Sequence, residues 1–267
     1  MDTQVDGENL SINPEHFSKY GCTCQMSNVK SVYSWNDLYK AVYKNKTRYV
    51  RLRSNITIKS KLLSLFSEYL YITKNADIDL NGYTLSSSED KRCAIYVQNG
   101  TLTIHDKRSG GSGKITASKC DHVIFCSGGD LNLTGGTIYK NGSVSDGIYI
   151  NSYYSEFTMT GGRIYGNFDD AIEIDSTISG QTAYDAVRIN GGIIDGANYG
   201  IYSGGSVVKR VSVYGGTFQN IRNYSIYNGC LELKVAGGSF NGYSSNRTYG
   251  IYVTNVGTLN LSESSKA

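Results

Sequence analysis

The 267-residue sequence is poor in proline and histidine and contains no long apolar run. Pro14 is the only proline, and there are three histidines. Scarce proline is typical of a chain built mostly from regular strands. No stretch of 18 apolar residues occurs, so no membrane span is predicted.

The charge and the cysteines give no indication of nucleic acid or a metal ion as a partner. The formal net charge is only +3, and lysine and arginine are scattered along the chain. This excludes the basic patch that nucleic-acid binding needs. The six cysteines show no metal-ligand spacing, and no disulfide framework is expected, although a Cys120–Cys126 bridge remains an alternative.

What the sequence has in abundance is repetition. A four-residue strand motif, such as Gly147-Ile148-Tyr149-Ile150, occurs seven times with isoleucine at its second position. The seven isoleucines are Ile95, Ile124, Ile148, Ile172, Ile201, Ile226 and Ile251. Successive isoleucines lie 24 to 29 residues apart. A repeat of this length indicates a solenoid whose coils each repeat one structural unit.

A second motif lies between the isoleucine motifs. It is an alternating strand followed by Gly-Gly and a large apolar residue, as in 131–138 and 157–164. No helix-length apolar pattern separates the strands. The predicted fold is therefore all-β, a right-handed parallel β-helix of about eight or nine coils. A meander of hairpins is the alternative, since six Asn-Gly pairs would suit tight turns.

The N-terminal part lacks the repeat. Ser34 and Asp37 form a capping pattern before an apolar face at helical spacing, which predicts a helix over about 35–45 that caps the first coil. Residues 1–30 are expected to be a polar lead-in or linker. Residues 31–267 are expected to form the β-helix domain.

Alternation along each strand assigns its residues to two faces. The isoleucines point inward, as do the residues two positions later. The residues between them point outward and are almost all aromatic: Tyr96, Phe125, Tyr149, Glu173, Tyr202, Tyr227 and Tyr252. This outward column predicts either a binding face for sugar rings or a ladder of tyrosines that stabilises neighbouring coils.

Carboxylates concentrate in two consecutive coils. Asp146 precedes one isoleucine motif, and Asp169 and Asp170 precede the next. Stacked coils would bring Asp146 and Asp170 to about 5 Å from each other. Carboxylates that close raise one pKa and divide into acid and base roles. A calcium ion held by Asp146, Asp170 and Asp175 is a second possibility; otherwise no cofactor is expected.

The segments Ser145-Asp146-Gly147-Ile148 and Phe168-Asp169-Asp170-Ala171-Ile172 resemble two signature turns of polygalacturonase-type glycoside hydrolases. The resemblance implies general-acid and water-activating roles for Asp146, Asp169 and Asp170. It covers about 30 residues. The histidine turn of that family is replaced by Asn198-Tyr199-Gly200, and its basic substrate clamp has no counterpart beyond Arg222-Asn223.

More broadly, residues 30–261 resemble pectate-lyase-like β-helix proteins, in particular the repetitive surface modules of bacteria. The segments 77–85 and 101–106 and the Gly-Gly turns carry this resemblance. It implies an extracellular or cell-surface protein. Its expected partner is a polysaccharide or a host or cell-surface protein.

Two functions follow as expectations. The first is a surface module that binds glycan or protein through the tyrosine-rich face. The alternative is a polysaccharide-degrading hydrolase or lyase that uses Asp146, Asp169 and Asp170, with Arg163, Arg188 and Lys209 as the nearest basic candidates for substrate binding.

Overall fold

The computed structural model describes residues 29–59, 69–175, 185–242, 249–254 and 258–261, without the side chains of 205–209 and 249. Residues 1–28 of the expected lead-in lie outside this range, and so do Cys22 and Cys24.

The described chain winds into a parallel β-solenoid of about seven turns, close to the eight or nine expected. Its strands lie on three faces, here called A, B and C, and the long strands Tyr199–Val213 and Tyr224–Val235 join faces A and B into one sheet. Face A holds Leu70–Ile72, Cys93–Val97, His122–Cys126, Asp146–Ile150, Asp170–Ile174, the first parts of Tyr199–Val213 and Tyr224–Val235, and Tyr249–Val253. Face B holds Lys30–Val32, Tyr49–Leu52, Ala76–Asp79, Thr101–His105, Asp130–Leu133, Phe157–Met159, Asp185–Ile189, the second parts of Tyr199–Val213 and Tyr224–Val235, and Thr258–Leu261. Face C holds Ile56–Ile58, Thr84–Ser87, Lys114–Ala117, Thr137–Lys140, Arg163–Tyr165, Ile193–Asp195, Thr217–Ile221 and Ser239–Gly242.

Strand pairing decides between the two predicted arrangements. Each strand pairs in parallel with the equivalent strand one coil away, as in Ile124 with Ile148 and Ile172 with Ile201. All pairings among the described strands are parallel, so the hairpin meander is wrong. Four of the six Asn-Gly pairs, at 81, 99, 141 and 190, lie between strands, whereas the pairs at 228 and 241 lie within strands.

The isoleucine column forms the core as predicted. Ile95, Ile124, Ile148, Ile172, Ile201 and Ile226 have no solvent exposure, and Ile251 in the last coil is partly buried. Burial of each such side chain contributes roughly 1.5–3 kcal/mol. The column therefore ties the coils of face A to one continuous apolar interior.

The Gly-Gly corners are required by close packing between coils. A side chain on Gly161 would place its Cβ 2.5 Å from the carbonyl oxygen of Thr134 in the preceding coil. The next residue, Gly162, has a φ of +75°, which side-chain-bearing residues rarely adopt. The first glycine thus gives space and the second gives the turn.

The N-terminal helix is present. An α-helix at Trp35–Tyr39 continues as a π-helical turn at Lys40–Lys44. The Asp37 amide donates to the Ser34 hydroxyl at 3.2 Å, which closes the predicted cap. Leu38 is buried, and the helical segment packs against the first strands of faces A and C.

Two smaller expectations are also resolved. Cys93, Cys120, Cys126 and Cys230 are buried free thiols, so the Cys120–Cys126 bridge does not form. Within the described residues, no helix has the length and apolarity needed to cross a membrane.

Candidate active site

The outward column of face A forms two runs of stacked rings. Tyr96, Phe125 and Tyr149 form one, with centroid distances of 5.0 and 5.5 Å. In the second run Tyr227 stacks between two tyrosines of neighbouring coils, at 5.0 and 4.9 Å. Because the rings stack along the solenoid axis, their faces cover one another and mainly their edges point outward. This packing favours the interpretation of most of the column as a ladder of rings that stabilises neighbouring coils, rather than as a binding face.

Phe125 differs from the exposed contact predicted for it. It is only 3% exposed, because the Arg92 guanidinium lies over its ring and His122 packs beside it. The tyrosines of the column are half-buried, except Tyr252, which is exposed. Phe125 therefore offers little surface to a ligand.

The two ring runs are separated by a coil that carries carboxylates instead. Glu173 pairs in register with Tyr149 on one side and Tyr202 on the other. Asp146, Asp170 and Glu173 each place an oxygen within 4.8 Å of the others. The structure thus brings together two of the three predicted catalytic aspartates and adds Glu173, which the sequence pattern assigned to the binding column.

These carboxylates lie in an open cleft of about 540 Å³. Its lining consists of Ser145, Asp146, Asp169, Asp170, Glu173, Tyr199, Tyr202 and Asn223. Because it gathers several titratable groups with shifted pKa values, this cleft is the candidate active site.

Asp170 is one of two buried acids of the cleft, together with Asp146. Asp170 is 7% exposed, and its Oδ1 has no hydrogen-bond partner. Burial, and then the nearby charge of Asp146, raise the pKa of Asp170 to about 9. Asp170 is therefore a carboxylic acid that keeps its proton at neutral pH.

Glu173 behaves in the same way for related reasons. Burial raises its pKa, and the charge of Asp146 and a hydrogen bond with Asp146 raise it further, to about 8. Two acids of the cleft, Asp170 and Glu173, thus hold protons at pH 7.

His122 is the functional candidate that the sequence reasoning missed. Its Nδ1 lies 2.8 Å from Oδ2 of Asp146, and its ring stacks on Tyr149 at 4.2 Å. His122 pairs in register with Asp146 one coil later. The signal was available, since both residues stand two positions before an isoleucine of the repeat.

The other predicted acids lie at the edge of the group or outside it. Asp169 lines the cleft and accepts a hydrogen bond from the Asn198 amide at 2.9 Å. Asp175 instead accepts hydrogen bonds from the Tyr149 hydroxyl, at 2.8 Å, and from the Asn151 amide. The structure therefore groups Glu173, rather than Asp175, with Asp146 and Asp170, and calcium binding stays a prediction.

The predicted basic candidates do not line the cleft. Arg163 pairs with Asp195 on face C, and Arg188 pairs with Asp185 on face B. The side chain of Lys209 lies outside the described residues.

Two other cations stand near one corner of the cleft. Lys140 donates to the carbonyl oxygen of Asn167 at 2.7 Å. Arg222 donates to the side-chain oxygens of Asn167, at 2.6 Å, and Asn198, at 3.3 Å. Both are held by neutral groups at the corner, and neither is among the lining residues.

Comparison of the chain with protein-family models, with curated proteins and with solved structures finds no match. The fold defines the chain as a parallel β-solenoid repeat protein. The resemblances to pectate-lyase-like proteins and to polygalacturonase-type hydrolases remain predictions.

Proposed function

We propose that this chain is a glycoside hydrolase that cleaves a polysaccharide by acid–base chemistry at the cleft of face A. The observation that carries the proposal is the group of Asp146, Asp170 and Glu173, whose carboxyl oxygens lie within 4.8 Å of one another. Perturbed acids gathered in a cleft are typical of catalytic sites. Acids held this close together lower the stability of the folded protein. A column made only of tyrosines would not have this effect.

In the proposed reaction, a protonated carboxyl of the Asp170–Glu173 pair donates its proton to the glycosidic oxygen of the leaving sugar. Glu173 is the more accessible of the two, since Asp170 is buried. The Asp146 carboxylate, oriented by His122, attacks the anomeric carbon while the bond to the leaving oxygen breaks. Water then cleaves the glycosyl–Asp146 ester, and the deprotonated acid recovers a proton from that water.

The spacing favours this two-step route. Retaining glycosidases place their two carboxyl groups about 5–5.5 Å apart, whereas inverting enzymes need about 6.5–9.5 Å to seat a water. Carboxyl oxygens of Asp146 and Glu173 lie within 4.8 Å of each other, which is nearer to the retaining separation than to the inverting one. We therefore expect retention of the anomeric configuration.

A second candidate is glycan binding without cleavage. Tyr199 and Tyr202 line the cleft beside the carboxyl groups. An aromatic ring next to hydrogen-bonding groups suits a sugar, which has both an apolar face and hydroxyls. Either function would place the protein outside the cell or at a bacterial surface, where polysaccharides are encountered.

The test is incubation with a panel of polysaccharides, measured for new reducing ends and for retention of the protein. We expect product release that is lost in Asp146→Asn and Glu173→Gln. Asp77→Asn is the matched control, because this carboxylate pairs with the exposed Arg48 on face B. Retention without products would favour the binding candidate, and neither signal from any polysaccharide would contradict both.

A further inference from the structure

We propose that the cleft selects a glycan that carries amino groups, a glucosamine-type polymer, over polymers of uronic acids. This inference rests on the proposed function, because it names the substrate class of the same site. A uronic-acid substrate is what the sequence resemblance alone would suggest. The carboxyl groups that line the cleft argue for the opposite class.

The lining of the cleft is acidic. Asp146, Asp169, Asp170 and Glu173 are four of its eight residues, and the other four are uncharged polar or aromatic side chains. No lysine or arginine lines it among the described residues. A bound uronate would meet carboxyl groups on several sides, whereas an ammonium would meet acceptors.

A second observation points to a missing hydrogen-bond donor. Oδ1 of Asp170 is buried and has no partner, although buried polar atoms are almost always paired. Asp170 lies against the cleft, where a ligand could reach its carboxyl group. An ammonium supplies three donors and so can pair with several carboxyl oxygens at once.

The nearby cations do not reverse this charge. Arg163 and Arg188 are paired with carboxylates on the other faces. Lys140 and Arg222 are hydrogen-bonded to Asn167 and Asn198 at one corner. Lys140 also interacts electrostatically with Asp146 and Asp169, but neither Lys140 nor Arg222 is among the residues that line the cleft.

The arrangement makes a specific prediction about protons. Asp170 is surrounded by Asp146, Asp169, Glu173 and the half-buried Tyr202, none of which supplies a positive charge. An ammonium placed there would stabilise the ionised carboxylate, so binding would release a proton from Asp170 or Glu173. A neutral sugar of the same shape would release none.

The experiment is calorimetric titration near pH 6, where the sugar amine is largely protonated, in two buffers of different ionisation enthalpy. The probes are a glucosamine hexamer, the N-acetylglucosamine hexamer of the same linkage, and a galacturonate hexamer. We expect the glucosamine hexamer to bind at least tenfold more tightly than the other two, with proton release and with affinity that falls as salt is added. Asp170→Asn should reduce the proton release, since only Glu173 then remains to supply it, and should remove most of the preference, while Asp77→Asn should retain both.

Each alternative result has a defined meaning. Equal or tighter binding of the N-acetylated or the galacturonate hexamer overturns the inference but leaves the proposed function standing. In a separate arm, calcium chloride is titrated alone. The inference is overturned if calcium binds at Asp170 and the glucosamine hexamer does not bind. Absence of binding and of cleavage for all three hexamers overturns the inference, and the same absence across the wider polysaccharide panel overturns the proposed function.

Discussion

Face A contains two kinds of surface built on the same backbone. On either side of the cleft, aromatic rings stack from coil to coil, as Tyr227 does between its neighbours at 5.0 and 4.9 Å. In the cleft, Glu173 takes the equivalent position, with Asp170 nearby. Both acids have raised pKa values, and Asp170 has an unpartnered oxygen. The rings stabilise the fold, whereas the carboxyl groups oppose it. A fold that could continue its ring ladder but places mutually repelling acids there is best explained by a function at that point.

The largest expected effect comes from breaking the core that both surfaces share. Ile172→Asp places a charge at a position with no solvent exposure, directly beneath the cleft. We expect a loss of about 4 kcal/mol or more in the free energy of unfolding, because an unpaired buried charge is among the most destabilising changes. Thermal unfolding followed by circular dichroism measures it. A melting temperature close to that of the wild type would contradict the inward register.

The second prediction uses the pH dependence of stability to distinguish the acidic surface from the aromatic one. The folded protein keeps the protons of Asp170 and Glu173, with pKa values of about 9 and about 8, while the unfolded chain loses them near their ordinary pKa values. Stability should therefore be highest below about pH 4 as far as these groups are concerned, and should fall as pH rises towards 8 or 9. One fully retained proton corresponds to about 1.4 kcal/mol per pH unit.

Asp170→Asn tests this assignment because it removes one titrating group and keeps its shape. The unfolding free energy of the variant should decline less steeply with pH than that of the wild type. Asp77→Asn serves as the control. Parallel slopes for wild type and Asp170→Asn would show that Asp170 is ionised in the folded protein at neutral pH.

The third prediction concerns the ring ladder. Tyr227→Ala removes the two stacked contacts of the ladder and two edge contacts with Tyr199 and Tyr224. It should destabilise the protein by about 2 kcal/mol or more, since each aromatic pair contributes roughly 0.5–1.5 kcal/mol beyond its buried area. Tyr227→Phe, which keeps the ring, should be close to the wild type. Chemical denaturation gives the values. Loss of glycan retention in Tyr227→Ala without loss of stability would instead make the ladder a binding face.

The smallest effect is expected where the two surfaces meet. Tyr149 stacks in the ladder, and its hydroxyl donates to Asp175 at 2.8 Å. Tyr149→Phe keeps the ring and removes one hydrogen bond, so we expect a loss of about 1 kcal/mol. Product release should remain, because Asp175 lies outside the catalytic group. A complete loss of activity in this variant would require Asp175 to be part of the site.

The sequence predicts the parts of this molecule that depend on the repeat alone. Period and alternation place Ile172 inside and Tyr227 outside, and the glycine pair at 161–162 marks a corner. Two coils of equal length bring Asp146 beside Asp170. Each of these placements follows from the alignment of one coil on the next, so the repeat pattern alone is enough to predict them.

Features that depend on three-dimensional surroundings could not be obtained this way. The burial of Phe125 requires Arg92, which lies in a corner outside the strand pattern. The raised pKa of Asp170 depends on how much solvent the neighbouring coils exclude. Arg163 lies on face C and Arg188 on face B, whereas the cleft lies on face A. The strand pattern was therefore sufficient to predict that neither arginine lines the cleft. Their assignment as basic candidates for the site rested on distance along the chain.

The most direct test of the account is product release from the polysaccharide panel by Glu173→Tyr, with its melting temperature recorded at pH 8 to show that it is folded. The account predicts a variant that is at least as stable as the wild type, because the new ring completes the ladder between Tyr149 and Tyr202, and that releases no products. A stable variant with undiminished product release would contradict the claim that the break in the ladder is the site of function.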